Sequence, residues 1–592
     1  MRWFLILLFS CSFCVQAQDD LLAREYVNNG AFEKALVIYK KLHEEKPTNS
    51  YYVSQLVTCY QQLEDYTTAE TVLKERLKIS QYPVNYVELG YNYQLQKDTL
   101  NAQKNYNLAI ISINERANYA YGVGRKFQEY SLLDEAIATY ELAMQIEPAI
   151  EFNMQLAAIY GEKGQIDQMF NSYLNFGLTN EGSRDAIKRF IGEFISENPD
   201  DVNNTLLRKV LLKRIQSQPD LYWSDMLSWL FVQQKQYDKA FAQEKALFKR
   251  DPQQDLTRLV DLAETAKIDE VYNKALEIFN YVIENALNPA LLLFANQRIL
   301  EIKTQTATVK DYDEINNIYK SLLETYGKTS ESVDLTVSYA HFLAFYLKDT
   351  NKAISVLKEA LDLRVSEPKK AEIKIELGDI LVFEERFNEA LIYYSQVQKT
   401  LKNSTLSQVA RFKVAKASYY KGDFDWAESQ LKILKSSVSQ LTANDALDLK
   451  LLISDNRQED SLQVALTQYA KADLMAFQNK AEGAISLLET IKQEHKTKSI
   501  IAQVLLKQAQ LYEKQLNFDK AKENYITLIT NYKDSVLTDD AIFALAMLQL
   551  NQLNNPEEAK KGFETIIFEH ADSIYFTEAR KKYRTLRGDS VQ

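Results

Sequence analysis

The sequence predicts an all-α chain folded as a solenoid of antiparallel helix pairs, and three observations carry that expectation. The 592 residues include only 15 glycines and 9 prolines, against usual shares of about 7% and about 5%; breakers are scarce, which favours long helices over an all-β fold. A small residue (Met169 in the last case) is followed one helical turn later by an aromatic or large apolar one. The pairs are Ala35 with Tyr39, Ala69 with Leu73, Ala102 with Tyr106, Ala136 with Tyr140 and Met169 with Tyr173, in steps of 34, 33, 34 and 33 residues. The helix-like run before each pair repeats in phase: Leu22 and Tyr26, Leu56 and Tyr60, Leu89-Gly90 and Tyr93, Val123-Gly124 and Phe127, Leu156 and Tyr160. A steady period of this size marks a helical-repeat architecture, and a chain this long is too large for one core.

Residues 1–17, "MRWFLILLFSCSFCVQA", carry a basic Arg2, an apolar stretch from Trp3 to Phe9 and Val15-Gln16-Ala17 as a cleavage signature ahead of Gln18. They read as a secretory signal peptide, too short for a stable membrane span. The alternative is a lipoprotein signal with Leu8-Phe9-Ser10-Cys11 as its lipobox, although Phe9 is bulky where such boxes use a small residue. Removal of the signal leaves Cys59 alone. An exported chain with one cysteine has no internal disulfide, so packing must hold it.

Residues 18–176 form the N-terminal array. In "GAFEKALVIYKKLHEEKP", Gly30 to Pro47, Ala35 lets the preceding helix lie close, because interaxial distance follows side-chain size. Tyr39 fills the gap one turn later on the same face, where Leu42 continues it. Pro47, and Pro148 in its own unit, ends the helix because it lacks the N–H and clashes with the previous turn. Asn28-Asn29-Gly30, Glu64-Asp65 and Lys163-Gly164 are the short polar turns.

Residues 177–220 break phase. Arg184 to Glu197 and Asn204 to Gln216 are helix-like without the small/aromatic grammar, and are expected as an irregular helical insertion and bend. Residues 221–365 resume the period in degenerate form, with Trp229, Phe231, Tyr237, Ala240, Leu247 and Pro252, then Ala275 and Phe279, a trace at Ile315 and Tyr319 within Asn288 to Ser338, and Ala353, Leu357 and Ala360. Residues 366–592 form the C-terminal array: Leu377, Gly378, Phe387, Ala390 and Tyr394, then Ala427 with Leu431, Ala484 with Leu488, Ala521 with Tyr525 and Ala559 with Phe563. Ser436 to Asp445 is a polar loop leading into a helix. Thr577 to Arg587 is a charged capping helix, which the end of an array needs for solubility. "YKDSVLTDDA" (Tyr532 to Ala541) and "HADSIYFTEA" (His570 to Ala579) repeat an Asp-Ser ahead of a helix, where either side chain would cap the N-terminus.

These units resemble the tetratricopeptide repeat (TPR) family. The resemblance implies a right-handed superhelix whose first helices line a groove. Groove positions lie two before and two after the Leu-type position and one turn further: Ser54, Thr58 and Gln61; Val87, Tyr91 and Gln94; Tyr121, Arg125 and Gln128. This wall is aromatic and polar with little charge, and tyrosine offers large contact area at low entropy cost. One family subtype clamps a C-terminal carboxylate with Lys and Asn at such positions; Asp20 and Arg24 stand there in the first unit, so capture of that kind is not expected. The last 230 or so residues are similar to TPR units of bacterial outer-membrane assembly lipoproteins and Tol-Pal accessory proteins, which implies a Gram-negative periplasm.

The sequence carries few residues in patterns that support chemistry. A net charge of -11 argues against a nucleic-acid partner, which needs a basic footprint. His43, His341, His495 and His570 form no H-E-x-x-H, and without cysteine pairs a zinc site lacks ligands. Gly327-Lys328-Thr329 mimics the end of a phosphate loop, but Leu322 stands where its first glycine belongs, so Gly327 reads as a helix C-cap. "GVGRKF" at Gly122 is packing, and Glu384-Glu385-Arg386 is the polar turn of a repeat. No catalytic residue, cofactor or metal ligand is expected. Arg208, Lys209, Lys213 and Arg214 beside Leu206, Leu207, Val210 and Leu211 form a basic amphipathic run, either the solvated face of a packed helix or a dock for an anionic partner or headgroups. No later segment has about 18 uninterrupted apolar residues. The expectation is a non-catalytic periplasmic scaffold that binds protein segments in its groove. The alternative is a component of an envelope assembly complex, held at the outer membrane by a lipid at Cys11 or by a partner.

Overall fold

The computed structural model describes residues 19–250, 255–434, 440–458, 463–495 and 499–588. The expected signal segment, Pro252 and the beginning of the Ser436–Asp445 stretch lie outside the described residues. Among the described residues every regular element is helical, with short 3-10 turns at Ser112–Asn114, Glu181–Ser183 and Val309–Asp311, and no strand occurs. Consecutive helices pack against one another in pairs. The chain divides into two compact units, up to Leu230 and from Phe231.

The first unit stacks the hairpins Ser50–Gln62 with Tyr66–Ile79, Val84–Leu95 with Thr99–Ile111, Tyr119–Glu129 with Leu133–Ile146, and Asn153–Glu162 with Ile166–Thr179. The repeat grammar is its core: Ala35, Ala69, Ala102, Ala136 and Met169 are all buried, as are their aromatic or leucine partners. The approach that the small residues permit is measurable. A Cβ added to Gly90 would lie 2.5 Å from the Tyr106 ring, and one added to Gly124 would lie 2.4 Å from Tyr140. In the first hairpin Leu22, the equivalent of buried Leu56, is 39% exposed while Ala23 beside it is buried; no earlier described hairpin covers the face of Leu22.

In the regular hairpins of the first unit each turn holds one residue in the left-handed region, five positions before the small residue. Gly30 and Gly164 occupy it, but so do Glu64 (φ 59), Lys97 (φ 63) and Ser131 (φ 56). The next residue then donates its N–H back across the turn, as Asp65 does to the Tyr60 carbonyl at 2.9 Å, a Schellman-type closure. Glu45 and Ile146 end their helices two residues before Pro47 and Pro148, as expected.

The insertion is irregular, with bounds that differ from the sequence reading. Its helices are Arg184–Gly192 and Val202–Ser217, and both pack on Ile166–Thr179. The first stops at Gly192 because the chain then runs as a loop through Pro199. The fully buried Asn204 holds that loop, donating to the carbonyls of Ser196 (2.7 Å) and Asn198 (2.6 Å) and accepting from the Ser196 N–H.

The second unit keeps the same rule. Ala240, Ala275, Ala353, Ala390, Ala427, Ala484, Ala521 and Ala559 are fully buried. The degenerate stretch is a hairpin too, Pro289–Thr306 with Tyr312–Tyr326, with Ile315 and Tyr319 buried. Its turn uses a capping box between Thr308 and Asp311 instead of a left-handed residue, which is why the spacing fades there. The expected capping helix is Phe576–Arg587, and Ala579 is its buried residue. Ser535 and Ser573 each accept a backbone N–H two residues on, from Leu537 and Tyr575, so the serines rather than the aspartates organise those helix starts.

Among the described residues of the second unit one element stands outside the pairing. The long helix Gln440–Gln458 follows the hairpin Thr405–Lys421 with Phe424–Leu434. The next helix, Val464–Phe477, then packs directly on Thr405–Lys421, and Gln478 reaches back to donate to the Phe383 carbonyl at 2.9 Å. Gln440–Gln458 is therefore an extra helix laid against the stack.

Candidate protein-interaction surface

In the first unit the helices that open successive hairpins align a row of polar and aromatic side chains. Ser54 donates to Glu88 at 2.9 Å, and Lys126 lies 3.6 Å from the same carboxylate and 2.7 Å from Glu129. Burial pushes the Glu88 carboxyl above its usual range, with Lys126 pulling the other way. Tyr91 stacks on Tyr130 with ring centroids 3.8 Å apart, and Lys126 sits over the Tyr130 ring.

The structure distributes the nine expected groove residues unevenly. Tyr121 is 55% exposed, and Arg125 is exposed beside Glu129 at 3.4 Å. Tyr91, Ser54 and Thr58 are half-buried, with the Thr58 hydroxyl turned to the Ser54 carbonyl. Gln94 is exposed and Gln128 half-buried; each accepts a hydrogen bond from the tyrosine of its paired helix, Tyr106 at 2.8 Å and Tyr140 at 3.0 Å. Gln61 is buried and donates to Asn92. Val87 is fully buried and offers nothing to a partner. The reason is register: the residue opposite Ser54 lies 34 positions on, at Glu88, and an offset of one residue turns a helical side chain by about 100°.

In the second unit the equivalent row is more charged. His341 meets Glu376 at 2.9 Å. Asp379 accepts from Tyr394 at 2.6 Å and from Lys413 at 2.7 Å; burial raises its carboxyl, against the pull of Lys413. Asp473 holds Lys416 at 2.7 Å and Lys507 at 2.6 Å. Burial alone would raise Asp473, but the two ammonium groups outweigh it and hold the carboxyl down at about 2.

The row ends in a cavity of about 660 Å³ with Leu449, Leu506 and Tyr469 in its lining. Lys416, Asp473, Lys507 and Gln510 line both it and a neighbouring cavity of about 430 Å³ that includes Tyr420, Phe477 and Lys514. The extra helix supplies one wall with Asp445 and Asp448, and the start of Thr538–Asn551 supplies another with Asp539 and Asp540. Asp540 accepts from the Tyr575 hydroxyl at 2.8 Å. Burial first, then Asp445, raises Asp448; burial raises Asp540 against the pull of the Tyr575 hydrogen bond, with Asp539 and Asp448 adding to the rise. Sequence reasoning missed this region. Its one signal was "LTDDA", whose acids read as helix-start residues.

The remaining motifs place several of their residues in packing or pairing roles, while Lys209 and Lys213 of the basic run are exposed. Gly327 ends Tyr312–Tyr326 with φ 68, and Lys328 pairs with Glu359. In the basic run Leu207, Val210 and Leu211 are buried, Arg208 donates to the Pro199 carbonyl, and Arg214 donates to Asn171 beneath Trp223. Asp20 and Arg24 pair with each other. Cys59 is buried, which pushes its thiol up to about 11. Among the described residues no group of three or more His, Cys, Asp or Glu is disposed to hold a metal, and no helix is long and apolar enough to cross a membrane.

No protein-family model matches the chain, and no curated protein matches it. Solved structures with similarity include Naa15/Naa10 bound to HypK-THB (12% identity, 95% of this chain and 100% of that chain, TM-score 0.30). The APC/C hetero-tetramer Cut9-Hcn1 is similar at 13% identity over 89% and 95%, TM-score 0.26, and yeast Tom70 at 14% over 92% and 98%, TM-score 0.29. Similarity at this level says nothing of function.

Proposed function

We propose that the chain is a non-catalytic scaffold, exported to the periplasm of a Gram-negative bacterium, that binds segments of other proteins along the rows presented by its opening helices. One observation carries the reading. In each unit side chains from several hairpins meet on one face, as Ser54, Glu88 and Lys126 do across three opening helices. They meet as charge pairs and aromatic stacks rather than as a nucleophile with a base and an oxyanion donor, which a reacting site requires. A face built by many elements suits an extended partner. Export rests on the N-terminal sequence.

Photo-crosslinking tests this. A benzophenone side chain in place of Tyr121, in the full chain expressed with its signal, should capture protein partners from envelope extract. The same group at exposed Leu108, on a second helix, should not. Equal capture at both positions, or none, refutes the scaffold reading. A second reading, attachment to the outer membrane through a lipid, is favoured by Leu8-Phe9-Ser10-Cys11. The mass of the mature N-terminal peptide separates the two: a start at Gln18 supports simple cleavage, and a diacylated Cys11 supports the anchor.

A further inference from the structure

The cavity beside the extra helix has a chemistry that the rest of the row lacks. Elsewhere in the row Glu88 meets Lys126, Asp379 meets Lys413, and Asp473 meets both Lys416 and Lys507. Among the described residues Asp445, Asp448, Asp539 and Asp540 form no ion pair. Apolar side chains stand uncovered at the same place, with Val536 66% and Ile574 79% exposed. Leu449 and Leu506 lie in the lining behind them. Four negative charges without counter-charges, around an apolar floor, form a surface completed by positive charge and apolar contact together.

We propose that this cavity docks a protein segment in which lysine or arginine side chains lie next to apolar or aromatic ones. The cations meet Asp445, Asp448, Asp539 and Asp540, and the apolar side chains cover Val536, Ile574 and Leu506. The two lysines on Asp473 mark the far limit of the acidic zone. This rests on the scaffold reading and assigns it a partner chemistry. A nucleic acid is excluded by the sign of the charge.

The test uses the purified full chain and fluorescence anisotropy of a labelled peptide, Arg-Lys-Leu-Phe-Ala-Leu. That peptide should bind, and Glu-Glu-Leu-Phe-Ala-Leu and Arg-Lys-Gly-Ser-Ala-Ser should bind at least tenfold more weakly. Asp448→Asn with Asp540→Asn should weaken the first peptide about tenfold; asparagine keeps an acceptor for Tyr575. Ile574→Ser, at an exposed position that folding does not need, should weaken it several-fold. Circular dichroism checks that both variants are folded. No binding of the first peptide, equal binding of all three, indifference to the variants, or displacement by spermidine at the peptide's own concentration each overturns the proposal. Failure here is distinguishable from failure of the scaffold reading. Crosslinked partners at Tyr121 together with an indifferent cavity leave the scaffold standing and remove this site.

Discussion

Gly378→Ala isolates the contact on which the stacking depends. Gly378 lies in Glu367–Phe383, facing Tyr394 of the paired helix Phe387–Thr400. An added Cβ would stand 2.3 Å from Tyr394 Cε1 and 2.6 Å from Cζ, roughly 1 Å inside the usual carbon–carbon contact of about 3.5 Å. The ring cannot swing away freely: it is 1% exposed, and its hydroxyl is fixed on Asp379, which also holds Lys413. Overpacking of this kind costs about 1–3 kcal/mol, and loosening a hydrogen bond to a buried carboxylate adds about 1.5–3 kcal/mol. Helix propensity returns about 1 kcal/mol when glycine becomes alanine. The balance is a loss of about 1.5–5 kcal/mol. Gly483→Ala is the control, since its nearest neighbour is Met475 Sδ at 3.6 Å, an ordinary contact. That variant should gain up to about 1 kcal/mol. In a stacked array the effect is local, so hydrogen exchange of the peptides covering 367–400 and 481–494 in the full chain is the assay. Equal protection changes of the same sign at both sites would refute the packing account.

Four further outcomes are expected. Leu516 is 74% exposed with φ 59; Leu516→Gly should raise the urea midpoint by relieving a conformation that costs a leucine about 1 kcal/mol. The Asp473 carboxyl is depressed from 3.8 to about 2 in the folded chain, so its contribution of about 2 kcal/mol is complete above the unfolded value and is lost as pH falls through the folded one; urea midpoints of the native chain should drop between pH 4 and 2 by more than those of Asp473→Asn. Asp448 and Asp540 shift the opposite way, so their ionisation opposes folding at neutral pH, and the double asparagine variant should melt at or above the native temperature. The same upward shifts imply that the cationic peptide begins to dissociate at a higher pH than ordinary aspartates would give. Asp445, Asp448, Asp539, Asp540, Asp473, Lys416, Lys507, Tyr469 and Tyr575 are the titratable and charged groups lining the cavity, and burial raises the two tyrosines further from that range.

The helix pairing was legible because one physical requirement recurs at every crossing. A helix can lie close to its neighbour only where a side chain is small, and a large ring must fill what the small residue leaves. Gly90 with Tyr106, Gly124 with Tyr140 and Gly378 with Tyr394 show the pair at its tightest. The turns were half hidden for the opposite reason. The left-handed residue is fixed by geometry and not by residue type, so Gly30, Gly164 and Gly422 announce it while Glu64, Lys235 and Leu516 do not. Register was less legible still: nothing in the residues themselves says whether Val87 or Glu88 stands opposite Ser54.

The acidic cavity was illegible because it comes from an interruption of the period. Where the array is regular, a charge finds its counterpart about one repeat away. Lys413 meets Asp379 and Arg298 meets Glu264 at a separation of 34 residues, and Lys369 meets Asp334 at 35. Such pairing neutralises the opening helices from one hairpin to the next. The extra helix Gln440–Gln458 displaces that partnership. Asp473 must then reach 57 residues back to Lys416 while still taking Lys507 from the next repeat. Asp445 and Asp448 face Asp539 and Asp540 across the gap instead of a lysine. A repeat fold that neutralises its charges internally has little net charge left to offer a partner where it is perfect, so the cationic segment proposed above would find unpaired carboxylates where the periodicity fails.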